Sequence, residues 1–90
     1  MEKMFKTERE YIQRVYEIVS YNYDVKVWYY SKDKVKADSI VDNIISKLGK
    51  KGMKSVIKDM DRFFKRGYRN NFEYESGLKS IWDDNIEDIL

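Results

Sequence analysis

The chain has no cysteine, no histidine and no proline, and a single alanine, among its 90 residues. Without cysteine, neither a disulfide framework nor a thiolate metal site can form. Without histidine, the commonest general base and metal ligand is missing, which excludes Ser–His–Asp catalysis, Cys–His catalysis and zinc chemistry. No glycine-rich phosphate loop is present either. These absences predict a protein that is not an enzyme and that uses neither a cofactor nor a metal.

Long apolar runs are also missing. No stretch approaches the roughly 18 apolar residues of a membrane span, and the first ten residues, MEKMFKTERE, lack the apolar centre of a signal peptide. With 38% charged and 42% hydrophobic residues, the chain is too apolar for a disordered tail. We therefore expect one compact domain over residues 1–90, located in the cytoplasm and away from membranes.

The hydrophobic pattern predicts the order helix, strand, helix, helix, helix. The first helix should run from Thr7 to about Asn22, because Thr7 and Glu10 form a capping box. The segment 24–30, DVKVWYY, is rich in β-branched and aromatic residues and indicates a strand. Its partner could be 34–37 in a hairpin, 71–75, or the same strand of a second copy, which would give a homodimer.

Three further helices follow from apolar residues at helical spacing. They are expected from Ser39 to Gly49, from Met53 to Gly67, and from Ser76 or Gly77 to the end of the chain. The predicted fold class is therefore α+β and mostly helical, with an all-α bundle as the alternative.

Charge is distributed unevenly along the chain. Residues 1–46 carry eight positive and eight negative side chains, residues 47–69 carry nine positive and two negative, and residues 70–90 carry one positive and six negative. Such asymmetry often indicates a charged partner.

Five cations between residues 54 and 69 fall within about 80° of one another on a helical wheel when the third predicted helix is continued past Gly67. This basic stripe consists of Lys54, Lys58, Arg62, Lys65 and Arg69, and Lys47, Lys50 and Lys51 extend it at the preceding turn. A row of cations can follow phosphates and release counterions, so the stripe is a candidate site for nucleic acid or an acidic partner. It could equally be a solvated helix face, or pair with the acidic side chains Asp83, Asp84, Glu87 and Asp88 of the last helix.

The segment around the stripe resembles a DNA-binding helix-turn-helix unit, whose short turn often contains glycine. The similarity covers two predicted helices joined by GKKG, residues 49–52. That family presents base-reading groups near the start of its second helix, where this chain offers only Lys54 and Ser55. The resemblance implies direct DNA or RNA binding.

Fourteen residues are aromatic, or 16% of the chain. Seven of them are less easily buried, and Tyr21 is one of these. The other six are candidates for a protein interface, where Tyr and Trp supply rigid contact area: Tyr23, Trp28, Tyr30, Tyr68, Phe72 and Tyr74. Burial in the core or in a dimer, and stacking of bases on exposed Tyr beside Arg, are the alternatives.

These observations predict a small non-enzymatic binding protein, a regulatory or inhibitory factor that binds a larger host protein or protein–nucleic acid machine. The scarcity of Ala and Pro, which have G/C-rich codons, indicates an AT-rich genome, which is typical of low-GC bacteria and of many phages. A phage or mobile element is one expected source of a short chain with this residue usage. The alternative function is direct nucleic-acid binding through the basic stripe.

Overall fold

The computed structural model describes residues 5–22 and 34–90, which form three α-helices and one 3₁₀ turn. The elements are α1, Glu8–Asn22; α2, Lys34–Arg66; α3, Asn71–Asn85; and the 3₁₀ turn, Glu87–Ile89. Within this described part of the chain there is no strand, so the mostly helical prediction is confirmed and the all-α alternative fits. The predicted strand at 24–30 lies outside the described residues.

Both strand partners predicted within the chain are wrong, because 34–37 forms the first turn of α2 and 71–75 the first turn of α3. The alternation of Phe72 and Tyr74 with polar residues imitates a strand. A helix cap overrides it: the side chain of Asn70 accepts a hydrogen bond from the backbone N–H of Glu73 at 2.9 Å. The last helix therefore starts well before Ser76.

The two capped helices begin in the same way. The hydroxyl of Thr7 accepts a hydrogen bond from the backbone N–H of Glu10 at 3.2 Å, as the capping box predicts. The carboxylate of Glu10 accepts one from the N–H of Lys6, the residue before the cap. In α3 the carboxylate of Glu73 does the same for the N–H of Arg69. Each cap thus satisfies two backbone donors that the helix itself leaves unpaired.

The helix α2 is kinked at Gly49. With φ 67° and ψ −173°, Gly49 occupies a backbone region that is essentially restricted to glycine, and it divides α2 into 34–48 and 50–66. Gly49, predicted as the end of a helix, adopts the positive φ that commonly ends helices. The predicted connection 49–52 is wrong, because helix resumes at Lys50. Gly67, with φ 87°, ends α2 as predicted.

The start of α2 lies five residues before the predicted Ser39. Asp38 and Asp42, near the predicted start, form a tertiary contact with α1. Nη2 of Arg9 on α1 lies 3.3 Å from Oδ1 of Asp38, and Nη1 of Arg9 donates to Asp42. These contacts fasten the start of α1 to the first half of α2, and they raise the pKa of Arg9 above its ordinary value, chiefly through the hydrogen bond to Asp42.

All three helices contribute to one core, and the apolar faces predicted for them are confirmed. The buried hydrophobic residues are Tyr11, Ile12, Val15, Tyr16, Val19, Val41, Ile44, Met53, Val56, Met60, Phe63, Leu78, Ile81, Trp82 and Ile86. Trp82 is fully buried beside Tyr16, with ring centroids 6.3 Å apart, and its indole N–H donates to Glu87. The Cα radius of gyration is 12.3 Å, close to the roughly 12 Å expected of a compact 90-residue domain.

Candidate functional site

The exposed surface of α2 beyond the kink is almost entirely basic. Between residues 50 and 66 eight side chains are exposed, and seven of them are Lys or Arg, with Ser55 the exception. These seven form what we call the basic face: Lys50, Lys51, Lys54, Lys58, Arg62, Lys65 and Arg66. At 1.5 Å per residue the basic face is about 24 Å long. Lys47, on the half of α2 before Gly49, is exposed as well.

The two acids of the same segment lie at the edges of the basic face, and Asp59 borders a groove that Arg62 and Arg66 also line. Both are half-buried, one on each flank of the helix. Asp59 accepts a hydrogen bond from the amide of Asn85 on α3 at 3.0 Å, and Asp61 accepts one from the hydroxyl of Tyr11 on α1 at 2.6 Å. The neighbouring helices thus hold both carboxylates, and no carboxylate of this segment is exposed among the cations.

None of the seven cations forms an ion pair with another described residue. The ion pairs within 5–22 and 34–90 join Arg9 to Asp38 and Asp42, Arg69 to Glu73, and Lys79 to Asp83. No described carboxylate therefore forms an ion pair with the basic face, which leaves its cations open to a polyanion.

Arg69 does not belong to the face, contrary to its place in the predicted stripe. Because α2 ends at Arg66 and the chain turns at Gly67, Arg69 lies beyond the helix. Its guanidinium forms a forked pair with Glu73, with Nη2 3.0 Å from Oε1 and Nε 3.2 Å from Oε2. This pair, together with the Arg69 N–H bond, lowers the pKa of the Glu73 carboxyl below its ordinary value.

Arg66 takes the place of Arg69 and was missed by the sequence reasoning. Its signal was present, since it follows Arg62 by four residues and so lies on the same side of a helix. Cζ of Arg66 lies 5.7 Å from the centroid of the Phe63 ring, a cation–π distance. The end of the basic face is thereby joined to an aromatic cluster.

The acidic C-terminal segment makes no ion pair with the basic face among the described residues. Asp83 pairs with Lys79 of its own helix at 2.6 Å, and Glu87 accepts the hydrogen bond from Trp82. Asp84 lies in the groove that Arg62 and Arg66 also line, without pairing with either. The predicted internal pairing of the stripe is not formed as direct ion pairs.

Four aromatic rings meet where α2 turns into α3. This aromatic corner consists of Phe63, Phe64, Tyr68 and Tyr74. Tyr68 stacks on Phe63 with ring centroids 5.8 Å apart and planes at 19°, and its centroid lies 4.8 Å from that of Tyr74. Tyr68 remains 48% exposed, and nearby Phe72 is 74% exposed.

The predicted interface residues are thus only partly brought together. Tyr68 and Phe72 are exposed, and Tyr74 is half-buried in contact with Tyr68. The other three, Tyr23, Trp28 and Tyr30, lie outside the described residues. A continuous interface of all six is not part of what the structure describes.

Two adjoining clefts lie between the end of α2 and α3. One, of about 320 Å³, is bordered by Phe63, Arg66, Tyr68, Glu73, Ser76 and Ser80. The other, of about 350 Å³, is bordered by Asp59, Arg62, Arg66, Ser80 and Asp84. Phe63 and Arg66 border both clefts, so the basic face opens directly into the aromatic corner.

Across 5–22 and 34–90, no three acidic side chains are grouped so as to hold a metal ion. No described helix combines the length and the apolar character needed to cross a membrane. The chain matches no protein-family model, no curated protein and no solved structure.

Proposed function

We propose that this is a small non-enzymatic binding protein whose basic face contacts the phosphate backbone of nucleic acid, free or within a protein–nucleic acid machine. The observation that carries the proposal is the composition of the exposed surface of 50–66, where seven of eight residues are Lys or Arg and none is acidic. The hydrogen bonds of Asp59 and Asp61 to the flanking helices support it, because they keep negative charge off that surface.

The physical basis is the displacement of counterions. A polyanion that lies along the basic face replaces the small ions around the lysines, and their release favours binding in proportion to the number of phosphates neutralised. The two arginines at the far end, Arg62 and Arg66, can each donate two parallel hydrogen bonds to a phosphate. Contacts of this kind fix position and orientation but do not read sequence.

A pair of charge-reversal variants tests the proposal. Lys54→Glu/Lys58→Glu should abolish binding of a fluorescently labelled oligonucleotide, measured by anisotropy at low salt. The matched control is Lys6→Glu/Arg14→Glu, which changes net charge by the same amount at two exposed cations of the N-terminal segment and α1. The control should retain most of the affinity. Equal losses in the two variants would contradict a localised site.

Regulation or inhibition of a larger host protein is the second candidate function, and the exposure of Tyr68 and Phe72 favours it. Large aromatic side chains of this kind are enriched in protein interfaces. The amino-acid usage, poor in Ala and Pro, fits a phage- or mobile-element-encoded factor acting on a cytoplasmic host machine. A pull-down from host lysate, with and without nuclease, distinguishes the candidates: a partner retained after nuclease and released by Tyr68→Ala/Phe72→Ala supports this one.

A further inference from the structure

The cleft at the aromatic corner is lined by the ring of Phe63, which packs closely against Gly77 of α3. A Cβ atom added to Gly77 would lie 2.3 Å from Cε1 of Phe63, so the glycine is what lets the Phe63 ring press against the backbone of α3. Tyr68 in turn stacks on Phe63. Phe63 thus supports the ring of Tyr68 from one side. Tyr68 itself is 48% exposed to solvent.

The rim of the cleft is polar and close to neutral in charge. Ser76 and Ser80 on α3 carry hydroxyl groups that can donate or accept hydrogen bonds. Glu73 carries the only carboxylate on this rim. It pairs with the guanidinium of Arg69 and accepts a hydrogen bond from the backbone N–H of Arg69. A volume of about 320 Å³ is at the low end of small-ligand cavities, which span roughly 300–1,000 Å³.

The cleft also adjoins the basic face. Arg66 is a member of the face, lies over the Phe63 ring and borders both clefts. A phosphate chain that follows the face toward the end of α2 would therefore bring its bases next to Tyr68.

We propose that this cleft receives an unstacked nucleobase of a single-stranded nucleic acid whose phosphates lie along the basic face. This inference rests on the proposed function and specifies its substrate class. Base–aromatic stacking combined with a cationic groove is how proteins hold single strands with little sequence preference. In a duplex the bases are paired and stacked, and extracting one costs free energy. The protein should accordingly prefer single strands and unpaired ends to duplex.

The test compares a thymidine strand of about 16 nucleotides with a duplex of the same length, by anisotropy at one fixed low salt concentration. Wild-type protein should bind the single strand more tightly. Tyr68→Ala should weaken single-strand binding roughly 5- to 150-fold, the range that loss of one stacked base predicts, and should leave duplex binding unchanged. Tyr68→Phe should restore single-strand binding, because it keeps the ring.

The control is Tyr21→Ala, which removes an exposed tyrosine at the end of α1 and should affect neither probe. Equal effects of Tyr68→Ala on both probes, or no effect on either, would overturn the inference while leaving the proposed function standing. If neither probe binds wild-type protein, both fail. If Tyr68→Ala instead releases a protein partner that remains bound after nuclease treatment, the aromatic corner is a protein interface, and the inference is overturned.

A second measurement uses the unmodified chain, in case Tyr68→Ala does not fold. A strand containing 5-iodouracil is bound and irradiated, and the adduct is located by mass spectrometry. We expect the adduct on Tyr68. Adducts confined to the lysines of the basic face would show that the bases do not enter the cleft, and would overturn the inference.

Discussion

At the scale of single residues, the two acids within the second half of α2 are held at the edges of the basic face by hydrogen bonds to neighbouring helices. Asp59 and Asp61 interrupt the cations in the sequence, yet each is hydrogen-bonded to a flanking helix. Glu73, near the end of the face, is paired with Arg69. The sequence shows the number of charges but not these tertiary partners. Arg69 was assigned to the stripe although α2 ends at Arg66, and Arg66 was missed although it follows Arg62 by four residues.

The Arg69–Glu73 pair gives a prediction about pH. Its hydrogen bonds hold the pKa of Glu73 below the ordinary value of 4.5. A carboxyl whose folded-state pKa is lowered stabilises the fold above its unfolded pKa, and this contribution is lost as pH falls through the lowered value. Arg69→Gln should move the pKa of Glu73 upward, but only in part, because the backbone N–H bond remains.

The measurement is a pH titration of the Glu73 side-chain carboxyl by NMR. Lys79→Gln is the matched control, because it breaks another ion pair between residues four apart, that of Lys79 with Asp83 on α3. It should leave the pKa of Glu73 where it is. An unchanged pKa in Arg69→Gln would mean that the pair does not form in solution.

The close approach of Gly77 to Phe63 gives a second prediction. Gly→Ala in a helix interior usually stabilises by up to about 1 kcal/mol, but here the new methyl group meets the ring of Phe63 at 2.3 Å. Gly77→Ala should therefore destabilise the fold by about 1–3 kcal/mol, the usual cost of overpacking.

A double-mutant cycle isolates this contact. Phe63→Leu should be destabilising alone, because it leaves a cavity, yet Gly77→Ala should cost less in that background. Thermal or denaturant unfolding of the four proteins gives the coupling free energy. Additive effects would indicate that the ring and α3 are not in contact.

At the scale of helices, the sequence predicted the buried face of each helix better than the residues at which the helix begins and ends. Apolar periodicity identifies which side of a helix is buried, and it did so for α1, α2 and α3, because any helix in a small core must bury such a stripe. Ends depend on single side chains. The start of α1 was predicted from Thr7, whereas the start of α3 was missed because the alternation of Phe72 and Tyr74 outweighed Asn70 and Glu73, a second cap with the same spacing.

The cap of α3 gives a prediction at this scale. Asn70→Ala removes the acceptor for the N–H of Glu73 and should destabilise the protein by about 0.5–2 kcal/mol. Asn71→Ala is the matched control, since Asn71 is exposed at the first position of the helix and should change stability little. Denaturant unfolding monitored by circular dichroism provides the comparison. Equal stabilities of the two variants would contradict the cap.

At the scale of the whole molecule, the three helices enclose an apolar core and leave a positively charged surface on the second half of α2. α1 and α3 flank the second half of α2, bury its apolar side and bind its two acids, which leaves the cations facing outward. Six of the eight predicted stripe residues lie on the basic face, Lys47 is exposed just before it, and Arg69 is turned away. The periodicity of α2 made this much predictable. Gly67 was predicted to end α2, but no sequence pattern indicated that the turn there stacks Tyr68 on Phe63 beside Arg66.

The central claim is that the basic face binds phosphates, and the salt dependence of affinity tests it most directly. Single-strand affinity should fall linearly on a log–log plot against salt concentration, by about 0.7 per phosphate neutralised. Lys54→Gln/Lys58→Gln should make the slope shallower by about 1.4, since two phosphate contacts are lost. A flat salt dependence in wild-type protein, or a slope unchanged in the double variant, would contradict the claim.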